Sequence, residues 1–296
     1  MQTAILFALA AAALYGASDF LGGLLSRRAP YALVGLVGQA AAALGGVVAA
    51  LAVSAHPGMG AIGWGIGAGI GGAVGTLALY RGLSRGRMNV AGPLSAVGAA
   101  GLPIPIDLLS GGKFTALAVV GVGLAIPGIW LVAAEPGKRD GGGVAEGLLA
   151  GLGFAGLFVC LDRAGDTAGL WPVAASQLSA VAVLAVFVLA GRRGTAHIVE
   201  AAHIVEGART GSAAPTGGTA RVPWAAVWPG VLGVGATVLY FLSTREAMLA
   251  VSAVITSLYP AFTVALAALV LRERTSLAHA AGLLLCAASV GAFAVG

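Results

Sequence analysis

The sequence predicts an all-α integral membrane protein whose ten transmembrane helices form two inverted five-helix repeats. The chain of 296 residues is 59% hydrophobic and only 9% charged, whereas soluble domains carry about 25% charged residues. Its mean hydropathy is +0.98, and similar segments recur in the two halves of the chain. A surface this apolar needs lipid as its solvent, which excludes a soluble enzyme, a nucleic-acid-binding domain and a secreted disulfide scaffold.

Ten apolar stretches are about as long as a membrane span requires. They cover residues 3–25, 31–54, 61–80, 88–110, 114–134, 144–162, 170–190, 224–243, 248–271 and 276–295. Each stretch is continuously apolar and not alternating, so each is expected to be a helix and not a strand of a barrel. The first stretch extends to Leu25 with no basic side chain before it, and we expect a retained helix there instead of a signal peptide.

The two halves of the chain share residues at matching positions. Gln39 and Gln177 lie 138 residues apart, and Tyr15 and Phe154 lie 139 apart. Three residues around the start of the fourth stretch recur 160 positions later, namely Tyr80, Arg85 and Met88 as Tyr240, Arg245 and Met248. The offset between corresponding residues thus increases from 138 to 160 along the chain, and this increase predicts an insertion of about 22 residues between the seventh and eighth stretches.

We therefore predict a first five-helix repeat at 1–140 and a second at 141–296, with a flexible inserted loop at about 191–222. An odd number of helices in each half makes the halves cross the membrane in opposite senses, as in many secondary transporters. The loop contains the near-duplicates 196–200 and 202–206, each with one His and one Glu. Those side chains could ligate a metal, but a replicated hexapeptide in a tolerant loop is the simpler interpretation.

Small residues predict close helix packing in the third stretch. Gly63, Gly67, Gly71 and Gly75 recur every four residues and so share one helix face. Glycines at this spacing let two membrane helices approach each other closely.

Several segments together resemble the EamA-type transporters of the drug/metabolite transporter superfamily, over essentially the whole chain. They are LYGASDF at 14–20, LYRGL at 79–83, MNVAGPLS at 88–95, SLYPAF at 257–262 and LRER at 271–274. The sequence SGGK at 110–113 departs from the short acidic turn that the family often has there. The resemblance implies an inner-membrane carrier of small metabolites and often an exporter; family members handle amino acids, sugars, nucleotide precursors and drugs.

Asp19 is the acidic residue well inside a predicted span, and such a group is a candidate functional site because it is costly to insert. It could exchange a proton as a cavity opens alternately to the two sides. Alternatively it is structural, hydrogen-bonded to Tyr15, Ser18 or an adjacent helix. Asp107, near the end of the fourth stretch, is expected to face headgroups or Lys113.

Other polar side chains on these helices are candidates for the substrate pathway. Beside Asp19 and Tyr15 they are Asn89, Ser95, Ser252, Thr256 and Tyr259. Tyr80 and Tyr240 could line a cavity or anchor at the membrane interface, and the glutamines at 39 and 177 are candidate interhelical hydrogen-bonding residues. Prolines remove backbone hydrogen bonds, so hinges or packing bends are expected at Pro93, Pro103, Pro105 and Pro260.

Lysine and arginine are shared unevenly among the predicted loops. Loops after odd-numbered stretches hold 13 of the 16 basic residues and loops after even-numbered stretches hold 3. The positive-inside rule then puts both termini outside the cytoplasm, whereas the family resemblance implies that both are inside.

These observations predict a secondary active transporter of small metabolites in the cytoplasmic (inner) membrane, working by alternating access. We expect an exporter, with protons as a candidate coupling ion and with substrate and membrane lipid as its partners. The sequence predicts no catalytic residue, cofactor, metal site or nucleic-acid partner, and it leaves the oligomeric state open. The alternatives are a non-transporting accessory membrane protein and a membrane-embedded enzyme; His56, His197, His203 and His279 show no catalytic pattern.

Overall fold

The structure, a computed structural model, describes residues 2–53, 55, 58–85, 88–111, 115–133, 143–210, 224–271 and 277–295. Regular structure throughout these residues is helical, which confirms the predicted all-α class. The helices are α1 Gln2–Ser26, α2 Tyr31–Ala52, α3 Met59–Ser84, α4 Met88–Gly101, α5 Pro103–Leu109, α6 Ala116–Ala133, α7 Val144–Arg163, α8 Trp171–Thr210, α9 Val227–Glu246, α10 Leu249–Thr256, α11 Tyr259–Leu271 and α12 Leu277–Val295. A 3-10 turn, Trp224–Ala226, precedes α9.

Seven helical segments in the described part of the chain are long and apolar enough to cross a membrane. They are Gln2–Ser26, Tyr31–Ala52, Met59–Ser84, Val144–Arg163, Trp171–Ala190, Trp224–Glu246 and Leu249–Val270. Three further apolar helices are shorter, at Leu94–Leu109, Ala116–Leu131 and Ala280–Phe293. A helix of about 17 residues rises roughly 26 Å, which is less than the roughly 30 Å of a bilayer core. The long helices indicate a multi-pass membrane protein.

The outward faces of these helices are apolar. Leu44 is 70% exposed, and Leu51 and Val186 are each 67% exposed. In water an array of such side chains would be unfavourable, whereas acyl chains solvate it. The interior instead contains many alanines and glycines, which let the helices pack closely.

Each half contributes helices that pack against the other half. α1 lies along α9, and α3 lies along α7, while α2 packs on α8 and α6 on α12. The α1–α9 pair is antiparallel, because Ser243 Oγ donates to the Ala4 carbonyl over 2.9 Å at one end and Ser18 Oγ donates to the Pro229 carbonyl over 2.8 Å nearer the other.

The third-stretch glycines pack as predicted, with one exception. A Cβ added at Gly71 would lie 2.7 Å from the Gly153 carbonyl oxygen of α7, and one added at Gly75 would lie 2.7 Å from the Phe154 ring. Gly67 faces Cys160 of α7, whereas an added Cβ at Gly63 has no neighbour within 4 Å in the described part of the chain.

Two of the predicted spans are interrupted next to a proline. The fourth breaks at Leu102, immediately before Pro103, and the ninth breaks at Ser257 and Leu258, so that Pro260 is the second residue of the next helix. Proline is tolerated in the first turn of a helix because the amide hydrogens there have no helical partner. The helix continues through Pro105 and through Pro93, whose side chain lies outside the described part; hinge roles for all four prolines remain predictions.

The helix of the seventh span extends into the first part of the segment predicted to be an inserted loop, and the flexible insertion itself stays a prediction. The backbone of α8 continues from Trp171 to Thr210, so residues 191–210 are helical, while residues 211–223 lie outside the described chain. The reason is local composition: alanine, glutamate and arginine favour helix, and the two glycines at 191 and 194 lower its stability without ending it. The His and Glu side chains of the duplicated hexapeptide are outside the described part as well.

Candidate functional site

A cavity of about 100 Å³ lies between helices of the two halves. Side chains of α1, α2 and α3 line one part of it, and those of α7, α8 and α9 line another, with Tyr259 at the start of α11 completing the wall. By volume it holds on the order of seven water molecules, and both polar and apolar groups face it. The cavity therefore has room for a small solute.

Most of the lining residues form pairs that share a sequence offset between the two halves of the chain. Nine pairs account for 18 of the lining residues among the described positions, and the pairs on α3 and α9 have an offset of 161, one residue more than the 160 that relates Tyr80 to Tyr240. They are Tyr15 and Phe154, Ser18 and Leu157, Asp19 and Phe158 at 139 residues; Gly38 and Ser176, Gln39 and Gln177, Ala42 and Ala180 at 138; and Gly69 and Gly230, Gly72 and Gly233, Thr76 and Thr237 at 161.

Glycines let the backbones around the cavity approach closely. An added Cβ at Gly69 would collide with the carbonyl of Ser176, and one at Gly230 would collide with the carbonyl of Gly38. α3 and α8 therefore approach closely at Gly69, and α9 and α2 approach closely at Gly230. These two glycines have matching positions in the two halves, and so do the helix pairs.

Thr237 is the centre of a hydrogen-bond network on the cavity wall. Its Oγ1 donates to the Gly233 carbonyl over 2.8 Å and accepts from Gln177 Nε2 over 3.2 Å. A hydroxyl has one hydrogen to donate, so the Tyr15 hydroxyl, 2.9 Å away, donates to Thr237. Gln39 in turn donates to Gln177, as predicted for an interhelical pair. The network ties α1, α2, α8 and α9 together around the cavity.

Aromatic rings form the wall next to this network. The Phe158 ring is stacked on Tyr240 at a centroid distance of 4.3 Å and lies 6.4 Å from the Tyr15 ring. The Tyr240 hydroxyl donates to the Phe158 carbonyl over 3.1 Å. These contacts hold Phe158 in one orientation, and Tyr240 is fully buried behind it.

Asp19 is the acidic side chain among the described residues that line the cavity, and no lysine, arginine or histidine is among them. Within the described part of the chain its carboxylate makes no hydrogen bond and no ion pair. The phenol groups of Tyr15, Tyr80 and Tyr259 are close enough to interact with it electrostatically. The expected structural hydrogen bonds to Tyr15 or Ser18 are absent, because these hydroxyls bond to Thr237 and to the Pro229 carbonyl.

The structure brings together some of the residues that the sequence singled out. Asp19, Tyr15 and Tyr259 line the cavity, as does Tyr80, whose hydroxyl lies against Gly22. Ser95 stands behind Tyr259, with its Oγ 3.0 Å from the Tyr259 hydroxyl.

Other candidates lie elsewhere. Ser252 is buried against Ser243, with 2.8 Å between their hydroxyl oxygens, and Thr256 is buried with no hydrogen-bond partner for its hydroxyl among the described residues. Neither lines the cavity. The side chain of Asn89 lies outside the described part of the chain.

Sequence reasoning missed Thr237 and its counterpart Thr76, because hydroxyl residues are common in membrane helices and neither stands in a motif. It also passed over Phe158, which resembles an ordinary core residue. The signal that could have found them is the repeat offset applied residue by residue: Phe158 is the counterpart of Asp19, which had already been singled out.

Polar contacts join the helices at the end of the bundle where α1 begins and α9 ends. Arg245 Nη2 donates to the carbonyls of Asp162 over 2.8 Å and Leu161 over 3.3 Å, and its guanidinium lies 4.7 Å from the Phe241 ring centroid. Asp107 Oδ2 accepts from the Ala250 amide over 3.0 Å. Asp107 therefore accepts from an amide in the first turn of α10, while its expected approach to headgroups or Lys113 stays a prediction, because Lys113 lies outside the described residues.

The opposite end has its own ion pairs. Glu146, at the start of α7, lies 3.1 Å from Arg85 Nη1 and 3.9 Å from Arg81 Nε at the end of α3. Both arginine side chains are about half exposed, so these pairs are weaker than buried ones.

Among the described residues, no group of three or more His, Cys, Asp or Glu side chains is arranged to hold a metal ion. No family model and no curated protein matches this chain. A solved crystal structure of another protein has the same fold, with a TM-score of 0.59 over 100% of this chain and 97% of that chain, at 18% sequence identity. The likeness at that identity extends to the fold alone.

Proposed function

We propose that this protein is a secondary active transporter of small metabolites in the cytoplasmic membrane, and that it works by alternating access around the central cavity. The carrying observation is that the cavity is lined by matching positions of both halves. Substrate sites of secondary transporters lie near the bilayer midplane at the interface of structural repeats. The resemblance to EamA-type transporters points in the same direction.

Contacts between matching residues support an inverted-repeat arrangement. Gln39 and Gln177 are counterparts, and they bond directly to each other. Two residues related by a two-fold axis can touch only near that axis. The pairing of α1 with α9 and of α7 with α3 follows the same relation, since each joins the first helix of one half to the third of the other.

Ten crossings, five from each half, are part of this proposal. The three shorter apolar helices would complete the set, and two of them, α6 and α12, pack on each other. An ion pair at each end of the bundle holds α7 to a different helix. Asp162 pairs with Arg245 of α9 at one end, and Glu146 pairs with Arg85 of α3 at the other. The two pairs are suited to breaking alternately as the cavity opens to one side and then to the other. Export and inner-membrane location follow from the family resemblance.

The transport proposal is tested by reconstituting the full chain in liposomes and measuring counterflow of labelled amino acids, sugars, nucleosides and amines. Gly233→Leu should abolish counterflow, because a Cβ there meets only Ser18 Oγ at 3.7 Å and the longer side chain extends into the cavity. Gly123→Leu is the matched control, since an added Cβ at that exposed position has no described neighbour within 4 Å. Equal counterflow by the two variants, or no counterflow of any compound by the unmodified protein, would refute the proposal.

Proton coupling is a separate part of the proposal, with Asp19 as the group that gains and loses the proton. Tyr15, Tyr80 and Tyr259 line the same cavity as Asp19, and no basic side chain lines it among the described residues. Asp19→Asn should abolish accumulation driven by a pH gradient, whereas counterflow of neutral compounds without a gradient should continue. Asp166→Asn, at an exposed acid between α7 and α8, should change neither. Gradient-driven accumulation by the Asp19→Asn variant would show that another group couples protons.

A further inference from the structure

We infer that the cavity selects small organic cations that have an apolar end, with Asp19 binding the charged group and the α7 wall contacting the apolar part. This inference rests on the proposed transport function and specifies its substrate class. It follows from a difference between the two halves that is largest between α1 and α7.

The difference lies between α1 and α7, which occupy matching positions. α1 presents Tyr15, Ser18 and Asp19 to the cavity, whereas their counterparts on α7 are Phe154, Leu157 and Phe158. Three polar positions are thus replaced by three apolar ones. By contrast, the α2 and α8 pairs include two glutamines, and the α3 and α9 pairs are glycine with glycine and threonine with threonine. The cavity is therefore polar and acidic on one side and apolar on the other.

The charge of the cavity favours a cation. The Asp19 carboxylate has no hydrogen-bond donor and no cationic partner in the described part of the chain, and the remaining lining residues are neutral. A carboxylate shielded from water attracts a cationic ligand group strongly. An anion would meet Asp19 with no compensating positive group, and an amino-acid zwitterion would leave its own carboxylate unpaired.

The aromatic groups around Asp19 suit an ammonium group that carries a hydrocarbon. The side chains of Tyr15, Tyr80 and Tyr259 line the same cavity as the carboxylate, and aromatic rings attract organic cations. Phe158 is held by its stack on Tyr240, so the apolar wall has a fixed shape. A ligand with both features contacts the two walls at once, whereas a simple inorganic cation leaves the α7 wall unused.

Three probes of nearly equal shape test the charge preference, namely benzylammonium, benzyl alcohol and benzoate. Their binding to the purified full chain in detergent is measured by isothermal titration calorimetry. We expect benzylammonium to bind at least about tenfold more tightly than benzyl alcohol, and benzoate to show no binding. Asp19→Asn should remove the difference between ammonium and alcohol, whereas Asp19→Glu and Asp166→Asn should retain it.

The apolar wall has its own test. Leu157→Ser copies onto α7 the residue that α1 has at the matching position, and it should weaken benzylammonium and benzyl alcohol by similar factors of about fivefold. Methylammonium, which lacks the apolar part, should bind the unmodified protein at least about tenfold more weakly than benzylammonium and should not respond to Leu157→Ser. Thermal unfolding of each variant shows that it is folded.

The inference is overturned if benzyl alcohol binds the unmodified protein as tightly as benzylammonium, or if a folded Asp19→Asn variant keeps the preference. Counterflow of a neutral metabolite in liposomes would then leave the transport proposal standing. Conversely, an Asp19-dependent cation preference with no counterflow of any compound would refute transport and leave the cation site.

Discussion

Replacing a single glycine between α3 and α7 should weaken the whole bundle. At Gly71 an added Cβ would lie 2.7 Å from the Gly153 carbonyl oxygen and 3.0 Å from the Leu157 amide nitrogen, and both are backbone atoms that cannot rotate away. Ordinary contact begins at 3.4 Å, so Gly71→Ala requires the helices to separate by about 0.7 Å there. Overpacking of this kind costs about 1–3 kcal/mol in free energy of unfolding.

Gly63→Ala is the matched control, because it lies two turns earlier on the same helix with no described neighbour within 4 Å of an added Cβ. Both variants gain the higher helix propensity of alanine, up to about 1 kcal/mol, so their difference reports the packing cost alone. Unfolding is followed by far-UV circular dichroism while sodium dodecyl sulfate is titrated into dodecyl maltoside micelles. Gly71→Ala should unfold at a lower dodecyl sulfate fraction than Gly63→Ala.

The same reasoning applies from the side of α7. A Cβ at Gly153 would lie 2.6 Å from both the Gly71 carbonyl oxygen and the Gly75 amide nitrogen. Gly153→Ala should therefore destabilise at least as much, and the double variant should cost less than the two single costs together, because one separation of the helices relieves both collisions. If Gly71→Ala and Gly63→Ala unfold at the same dodecyl sulfate fraction, the close approach of α3 and α7 is wrong.

Three further substitutions test the cavity wall and the end of the bundle. Thr237→Val removes the hydroxyl that bonds to Tyr15 and Gln177, and we expect it to weaken substrate binding in calorimetry. Thr76→Val is the control, because it loses no hydrogen bond to a described residue and should bind substrate normally. Arg245→Met removes the donor to the carbonyls that end α7, and should lower the free energy of unfolding by about 1–3 kcal/mol; an unchanged unfolding midpoint would show that this contact contributes nothing. Gly22→Ala should displace the Tyr80 hydroxyl and reduce counterflow. Gly23→Ala brings its Cβ only to a terminal methyl of Leu83, at 3.3 Å, and should leave counterflow unchanged. Similar counterflow by the two variants would contradict the packing of Tyr80 against Gly22.

The amino-acid sequence alone determined that the protein is surrounded by lipid and that its secondary structure is helical. Continuous apolar runs can be hydrogen-bonded in lipid only as helices, which is why the expected helices recur close to their predicted positions, from α1 at Gln2–Ser26 to α12 at Leu277–Val295. The prolines also marked both breaks, because the lack of an amide hydrogen acts locally. In the polar stretch after Ala190 helix and loop differ by small local preferences, and α8 continues there as far as Thr210.

The composition of the site required tertiary structure. Asp19 could be singled out by the cost of placing an acid in a span, but its lack of a partner among the described residues depends on where the hydroxyls of Tyr15 and Ser18 point. Thr237 became a network centre only because α1 and α8 both pack beside it. Repeat offsets are present in the sequence, yet which matching positions face one another is decided by how α1, α2 and α3 pack against α7, α8 and α9. Packing geometry depends on contacts between residues more than a hundred positions apart, and no local pattern encodes them.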